Sequence, residues 1–360
     1  MCTWVARTSA SSTGSTPRSR TATRSRSSRP WPAAAEARRG RQPLTVFVTG
    51  AQGLIGCAVV EALLARGETV IALSRSDLVG SRFDSEGLRE RCTLVEADLT
   101  APADIRRALE AHDVRKVFHL GAQTQVGAAN RAPLETWEAN IRGTYMLFEA
   151  VRAHDPATHV VVASSDKAYG AHEVLPYRED FALQPMYPYD VSKAATDMIA
   201  RSYAATYDMP VAVTRLANVY GPGDVNWARV IPDTARALVR GERPVIRSDG
   251  TPERDYIYVE DAADAYLAVG DSLDDPAHHG RAWNAGSGEP LSVLEVVRRL
   301  IEVSGRDVEP DIQGTGVPHG EIDRQYLDPT AIRTELGWEP KWDLDSGLRA
   351  AWEWYERTLS

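Results

Sequence analysis

The side chains with the most distinct chemistry are a tyrosine and a lysine four residues apart, Tyr189 and Lys193. No other tyrosine in the sequence has a lysine at this spacing. On a helix, both side chains would project from one face. An ammonium group beside a phenol stabilises the phenolate, so we expect the pKa of Tyr189 to be lowered and the tyrosine to act as a general base.

A second polar group, Ser165, Asp166 and Lys167, comes directly after an apolar run that predicts a buried strand. The Ser165 hydroxyl can donate to a substrate oxygen, Asp166 offers an acid, and Lys167 offers a base if its pKa is lowered. The same residues also fit a strand end with an Asp turn and a solvated lysine. The local pattern therefore leaves both interpretations open.

A glycine-rich turn lies between an apolar run and an amphipathic run, with glycines at Gly50, Gly53 and Gly56. A strand, a tight turn and a helix in this order aim backbone N–H groups at a phosphate. Glycine also serves sharp turns that bind nothing, so the turn alone leaves dinucleotide binding open.

The end of the second predicted strand bears on the choice of dinucleotide. An acidic residue at this place would bond the adenosine ribose 2′-hydroxyl of NAD. This chain has Ser74 and Arg75 instead. Ser74 can still bond a hydroxyl, and Arg75 can accommodate a 2′-phosphate or lie in a solvated loop, so NAD and NADP both stay open.

The elements that must position these groups alternate along the chain. The sequence predicts strands at 44–48, 69–73, 93–96, 116–120, 159–163 and 211–216. It predicts helices at 54–66, 103–111, 134–154 and 192–207. Such alternation is typical of an α/β fold with a doubly wound parallel sheet. After residue 220 the pattern changes to Gly/Pro-rich loops and short helices, which indicates a smaller second region with a cleft between the two.

Composition narrows the classes of function. The formal charge of the whole chain is −9, although residues 1–42 hold nine Arg and one Glu. The rest of the chain is therefore strongly acidic, which argues against a nucleic-acid partner. No run reaches the roughly 18 apolar residues of a membrane helix. The cysteines Cys2, Cys57 and Cys92 have no disulfide or metal-ligand spacing, which favours a cytoplasmic protein without a metal site.

The basic tail at 1–42 has no hydrophobic periodicity, so we expect it to be disordered. An Arg- and Ser-rich leader with few acids is also typical of an organelle transit peptide. A start site placed too early in the reading frame would give the same composition. We therefore expect the fold to begin after this tail.

Together these motifs resemble the extended short-chain dehydrogenases/reductases, which include nucleotide-sugar epimerases, dehydratases and reductases. The resemblance runs from Leu44 to the C-terminus and is carried by Gly50, Gly53, Gly56, Asp98, Leu99, His119, Leu120, Gly121, Ala122, Asn140, Ser165, Tyr189 and Lys193. It implies that Ser165, Tyr189 and Lys193 are catalytic, and that Asn140 is a structural bridge near the site. It also implies a homodimer through the helices at 134–154 and 192–207.

The resemblance further implies a Rossmann-type domain that holds NAD, with NADP not excluded. Asp98 and Leu99 would hold the adenine, and Lys193 would also bond the nicotinamide ribose. The implied cofactor site consists of Gly50, Gln52, Gly53, Leu54, Ile55, Gly56, Ser74, Arg75, Asp98, Leu99, Leu120, Gly121, Ala122, Tyr189 and Lys193. The implied division is a tail at 1–42, an NAD(P)-binding domain at 43–220 to which 245–287 returns, and a nucleotide-sugar-binding region at 221–244 and 288–360.

Smaller signals are similar to the CDP-glucose 4,6-dehydratases. Ser165-Asp166-Lys167 looks like their catalytic triplet, in which all three residues act. Arg254 looks like the arginine that contacts the substrate diphosphate. The segment 318–321 lacks the arginine that many relatives carry beside an acid, which puts a uridine or thymidine nucleotide in doubt. The implied substrate-binding residues are Gln125, Asn218, Arg229, Arg254 and Glu321.

The expected reaction converts an NDP-hexose to an NDP-4-keto-6-deoxyhexose. Tyr189 would take the proton of the 4-hydroxyl as the hydride leaves carbon 4, Lys167 would take the proton of carbon 5, and Asp166 would protonate the departing 6-hydroxyl. One alternative is a nucleotide-sugar epimerase in which Tyr189 and Lys193 act alone. The other is a non-catalytic dinucleotide-binding scaffold or sensor, against which the intact Ser165, Tyr189 and Lys193 argue.

Overall fold

The computed structural model describes residues 42–74, 81–316 and 322–360. The predictions for Arg75, for Glu321 and for the tail up to residue 41 lie outside the described residues. Among those described, no helix is both long and apolar enough to cross a membrane.

The strands and helices alternate through the first two thirds of the described chain. The strands are β1 Thr45–Thr49, β2 Thr69–Ser74, β3 Thr93–Glu96, β4 Lys116–His119, β5 His159–Ser165, β6 Val211–Leu216, β7 Asn218–Tyr220, β8 Val245–Ile246, β9 Glu253–Tyr258, β10 Ala282–Ala285, β11 Pro290–Ser292, β12 Asp311–Ile312 and β13 Arg324–Gln325. The helices are α1 Leu54–Ala65, α2 Arg82–Ser85, α3 Pro102–His112, α4 Val126–Arg131, α5 Pro133–Trp137, α6 Gly143–His154, α7 Pro188–Tyr207, α8 Val230–Val239, α9 Val259–Ser272, α10 Val293–Ser304, α11 Thr330–Leu336 and α12 Leu344–Leu359.

Seven parallel strands form the main sheet in the order β3-β2-β1-β4-β5-β6-β10. The predicted doubly wound α/β fold is therefore confirmed. The strand order reverses between β1 and β4, where Thr49 lies in register with His119. Ligands bind such sheets at the carboxyl ends of the strands beside this reversal, and the glycine turn begins there.

The core has one apolar cluster on each face of the main sheet. Along β5, Val161 belongs to one cluster, while Val160 and Val162 belong to the other. Successive side chains of a strand point to opposite faces, so a strand buried on both sides reads as a continuous apolar run. This is why the sequence predicted β1 to β6 to within two residues at each end.

Four structural predictions need correction. The helix predicted at 134–154 is interrupted by a π-helical turn, Glu138–Arg142. Helix α7 begins at Pro188, four residues before the predicted start, because proline suits the first helical position. The predicted short helices after residue 220 are instead mostly full-length, from 10 residues in α8 to 16 in α12. The seventh strand, β10, was missed because Asn284 interrupts its apolar residues, so the sequence shows no continuous apolar run there.

The second region is built around β9. This strand pairs with β7 and β13 in parallel and with β11 in antiparallel, and β8 pairs with β12. Within 245–287, α9 packs against α1 and β10 joins the main sheet, whereas β8 and β9 belong to the smaller sheets.

Candidate active site

The glycine turn is shaped so that no side chain fills it. Gly50 has φ of +69°, and a Cβ there would lie 2.7 Å from the backbone nitrogen of Gly121. A Cβ on Gly56 would collide with the Gly50 carbonyl. Helix α1 begins after Gly53, with no capping side chain and no acidic residue in its first turn. Its first N–H groups are therefore suited to bind a phosphate.

The predicted adenosine side of the site lies next to this turn. The Gln52 amide donates to the Ser74 hydroxyl at 2.9 Å, and both side chains are buried. Asp98 accepts from the backbone N–H and the hydroxyl of Thr100, both at 2.8 Å. Leu99 contacts Gly121, where a Cβ would lie 2.9 Å from Leu99 Cδ1.

A narrow turn, an uncapped helix and nearby polar side chains fit the diphosphate and ribose of a dinucleotide. The predicted turn residues Leu54 and Ile55 form the start of α1, and Leu120 and Ala122 flank Gly121 at the end of β4. Among the described residues there is no group of three or more His, Cys, Asp or Glu side chains that could hold a metal ion.

Tyr189 and Lys193 lie in the first two turns of α7, and both are buried. Burial raises the pKa of Tyr189, Asp166 raises it further, and Arg229 and the nearby Ser165 hydroxyl oppose the rise. Burial lowers the pKa of Lys193 to about 8, and its ammonium donates to the Ala163 carbonyl at 2.8 Å. The expected lowering of the Tyr189 pKa is therefore wrong, because the effect of burial is larger than that of the Arg229 charge.

Ser165, Asp166 and Lys167 form the end of β5 and the start of a 3₁₀ turn, Asp166–Tyr169. The Ser165 hydroxyl accepts from the Lys167 backbone at 3.2 Å and donates to Asp166 Oδ1 at 2.8 Å. Asp166 Oδ2 is buried and has no hydrogen-bond partner among the described residues. Burial raises the pKa of Asp166, with Lys167, Ser165 and Arg254 opposing, so this carboxyl is suited to carry a proton.

Two arginines lie close to these groups. Arg229 pairs with the buried Asp224 at 2.9 Å, and its charge acts on Tyr189. Arg254, on β9, donates to the backbone carbonyls of Glu253 and Asp323 at 2.8 and 2.9 Å, and its charge acts on Asp166. Arginine cations beside these side chains are suited to bind a diphosphate.

The structure also describes the other two predicted substrate-binding residues, Asn218 and Gln125. Asn218 is half-buried at the start of β7, in register with Tyr256. Gln125 is exposed, and its backbone N–H donates to Gln123 Oε1 at 2.8 Å.

A buried hydrogen-bond chain connects the glycine turn to helix α7. Thr49 Oγ1 accepts from the Gly121 backbone at 2.9 Å and contacts His119 Nδ1, while His119 Nε2 contacts Thr144 Oγ1 at 3.0 Å. Burial lowers the pKa of His119 to about 3, with the charge of Lys193 acting in the same direction, so the ring is neutral.

Asn140 completes this chain from the π-helical turn. Its carboxamide oxygen accepts from the Gln123 backbone N–H, and its nitrogen donates to the Gln123 carbonyl. The same nitrogen donates to the Ser192 hydroxyl at 2.9 Å. Ser192 in turn donates to the Tyr189 carbonyl. The contacts of Asn140 agree with its predicted bridging role, whereas Thr49 and Ser192 were missed because a Thr or Ser within a strand or helix has no distinctive pattern.

Gln325 was also missed. It is 1% exposed, neither polar atom of its side chain has a hydrogen-bond partner among the described residues, and it lies in register with Arg254. Its strand has only two residues in an irregular segment, so periodicity gave no signal.

Comparison with known proteins agrees with this architecture. Residues 46–286 match a sequence profile described as the NAD dependent epimerase/dehydratase family. A UDP-glucose 4-epimerase of Mycolicibacterium smegmatis is 31% identical over 87% of this chain and 98% of its own length. A dTDP-glucose 4,6-dehydratase of the same organism is 30% identical over 88% of this chain and 95% of its own length.

Solved structures of both kinds of enzyme share the fold. A UDP-glucose 4-epimerase from Thermotoga maritima, solved with UDP-glucose, has a TM-score of 0.81 and 30% identity, covering 88% of this chain and 100% of its own. A dTDP-glucose 4,6-dehydratase from Streptomyces venezuelae, solved with NAD, has a TM-score of 0.79 and 27% identity, covering 87% of this chain and 97% of its own.

Proposed function

The chain belongs to the NAD dependent epimerase/dehydratase family, and we propose that within this family it is a nucleotide-sugar 4,6-dehydratase, a lyase. The observation that carries the proposal is the buried Asp166, whose raised pKa and unpartnered Oδ2 suit a proton donor. A 4-epimerase moves a hydride at carbon 4 and does not expel a hydroxyl, so it has no need of such an acid. The neighbouring Lys167 supplies the base that elimination also requires.

NAD is the proposed cofactor, on the strength of the glycine turn and of the neighbour solved with NAD. The residues that would hold it are Gly50, Gly53, Ser74, Asp98 and Lys193. When bound, it accepts a hydride from the sugar and returns it within one catalytic cycle. Direct titration with NAD and with NADP tests this choice.

The protein's own residues would move the protons. Tyr189 takes the proton of the 4-hydroxyl when carbon 4 is oxidised to the ketone. The ketone acidifies the hydrogen on carbon 5, which Lys167 removes. Asp166 gives its proton to the 6-hydroxyl, the carbon–oxygen bond breaks, and water leaves as a carbon 5–carbon 6 double bond forms. Carbon 6 then receives the hydride and carbon 5 a proton, so the product has the mass of the substrate less one water.

Substrate binding is assigned to the second region, 221–244 and 288–360, together with β9. Arg229 and Arg254 would neutralise the diphosphate, because the charge of Arg229 acts on the proposed base Tyr189 and the charge of Arg254 acts on the proposed acid Asp166. Asn218 and Gln125 are proposed contacts of the sugar and nucleotide. The CDP-glucose type is the proposed substrate class.

A nucleotide-sugar 4-epimerase is the second candidate. It is favoured by the 31% identity to a UDP-glucose 4-epimerase. In that function Asp166 and Lys167 would only shape the pocket.

The experiment is to incubate the purified protein with CDP-, UDP- and dTDP-hexoses and to analyse the products by mass spectrometry. The dehydratase proposal expects a 4-keto-6-deoxy product that has lost water. An isomer of unchanged mass would instead establish the epimerase, and no turnover of any sugar would favour a binding protein without catalysis.

We also propose a cytoplasmic homodimer. Support comes from four exposed apolar side chains on or beside the paired helices α5, α6 and α7: Leu134, Trp137, Tyr145 and Met198. Light scattering of the wild type and of Leu134→Glu tests the dimer, which the substitution should dissociate.

A further inference from the structure

A buried bridge of polar side chains connects the turn that carries Asp166 to the helix that carries Tyr189. Its centre is Arg215 on β6, which is 1% exposed. Arg215 Nε and Nη2 donate to the two carboxylate oxygens of Asp197 at 2.8 and 3.1 Å. Asp197 lies on α7, one turn beyond Lys193.

The other side of the same guanidinium binds the catalytic turn. Arg215 Nη1 donates to the phenolic oxygen of Tyr169 at 2.8 Å, and the guanidinium carbon lies 4.7 Å from the centre of the Tyr169 ring. Tyr169 is the last residue of the 3₁₀ turn that begins at Asp166. Its hydroxyl donates to Asn284 Oδ1 on β10 at 2.7 Å, so both hydrogen-bonding directions of the phenol are used.

This bridge spans the two groups that the proposed reaction uses in succession. Tyr189 and Lys193 serve oxidation at carbon 4, whereas Asp166 and Lys167 serve loss of water. The Asp166 carboxylate accepts from the Ser165 hydroxyl and from the backbone N–H of Lys167, and its Oδ2 has no hydrogen-bond partner among the described residues. Both donors lie in or directly beside the turn itself. The position of the Asp166 carboxyl therefore depends on the backbone of the turn. The Tyr169 side chain holds this backbone in place through its hydrogen bonds to Arg215 and Asn284.

We propose that Tyr169 and Arg215 are positioning residues for the elimination step. The bridge fixes the distance between the turn and α7, so that Asp166 and Lys167 reach the sugar ring that Tyr189 has oxidised. Arginine suits this task because its planar fork binds a carboxylate through two nitrogens and leaves a third for the phenol. This inference rests on the proposed dehydratase function.

The test is Tyr169→Phe, which keeps the buried ring and removes only its two hydrogen bonds. Stopped-flow absorbance of the reduced nicotinamide reports oxidation at carbon 4, and quenched-flow mass spectrometry reports loss of water. We expect elimination to slow by about 10- to 100-fold, since small misplacement of catalytic groups has effects of that size. Oxidation should keep its wild-type rate, so reduced cofactor should accumulate.

The matched control is Tyr203→Phe. Tyr203 lies on the same helix α7 and donates to Glu149 Oε1 at 2.7 Å, away from the bridge. Tyr203→Phe should leave the ratio of the elimination rate to the oxidation rate unchanged. Arg215→Lys keeps the positive charge but has no fork, so it should change the ratio in the same direction as Tyr169→Phe.

Equal slowing of both steps in Tyr169→Phe, or no slowing of either, would overturn the inference. A wild-type protein that releases no water from any sugar would overturn the proposed function instead. In that case, hydrogen exchange at the Lys167 and Gly170 amides tests whether the bridge holds the turn in place. Faster exchange in Tyr169→Phe than in Tyr203→Phe supports the anchoring of the turn, and equal exchange contradicts it.

Discussion

Two turns at the same edge of the main sheet would serve the proposed site by opposite means. The turn after β1 would act through its backbone, because Gly50 and Gly56 leave no room for a Cβ. The turn after β5 would act through side chains, because it holds Asp166 and Lys167 on a short 3₁₀ turn. The first is therefore sensitive to added atoms, and the second to changes of charge and hydrogen bonding.

The largest expected effect is on the side-chain turn. Lys167→Ala removes the proposed base at carbon 5, so loss of water should slow by about 10²–10⁴-fold. Reduction of bound cofactor by the sugar should continue, because Tyr189 is untouched. The measurement is the product mass together with the absorbance of the reduced nicotinamide.

A matched control is Lys341→Ala, which removes an exposed lysine that pairs with Asp264 at 2.6 Å. It should leave both steps unchanged. Full dehydration by Lys167→Ala would show that Lys167 is not the base.

A smaller effect is expected at the backbone turn. Gly56→Ala forces a methyl group against the Gly50 carbonyl, and overpacking of this kind costs about 1–3 kcal/mol. The turn must shift to admit the methyl group, which displaces the N–H groups that would bind the phosphate, so NAD should bind about 10- to 100-fold more weakly. Calorimetric titration measures this affinity.

Gly316→Ala is the control, because a Cβ at Gly316 would meet open space. It should bind NAD like the wild type. An affinity of Gly56→Ala for NAD equal to that of the wild type would show that the glycine turn is not part of the cofactor site.

The smallest effect concerns pH and separates the two steps. Tyr189 accepts a proton only as phenolate, and burial raises its pKa, so oxidation at carbon 4 should speed up by at most about tenfold per pH unit as pH rises. Asp166 must be protonated to act as an acid, and burial raises its pKa as well. Elimination should therefore slow as pH rises through that pKa.

Rates of both steps under single-turnover conditions across the stable pH range measure this contrast. Arg229 opposes the rise of the Tyr189 pKa, so Arg229→Gln at saturating substrate should move the oxidation profile to higher pH. Oxidation that slows as pH rises would contradict the role of Tyr189 as base.

Features of this chain that depend on local sequence could be predicted, whereas features that depend on tertiary contacts could not. Glycine spacing, apolar runs and the spacing of two side chains on a helix are local signals. They were sufficient to predict β1 to β6, the turn at Gly50 and the Tyr189–Lys193 pair. The π-helical turn around Asn140 and the bridge through Arg215 depend on contacts between distant segments, which no local pattern encodes. The direction of the Tyr189 pKa was predicted wrongly because burial of the phenol is a tertiary property.

The most direct test of the dehydratase proposal follows one hydrogen. An NDP-glucose of the substrate class that turns over, labelled with deuterium at carbon 4, is converted by the wild-type protein, and the product is analysed by NMR. The proposal predicts a 4-keto-6-deoxy sugar with the deuterium on carbon 6. Deuterium that stays on carbon 4 of an isomer with unchanged mass would contradict it.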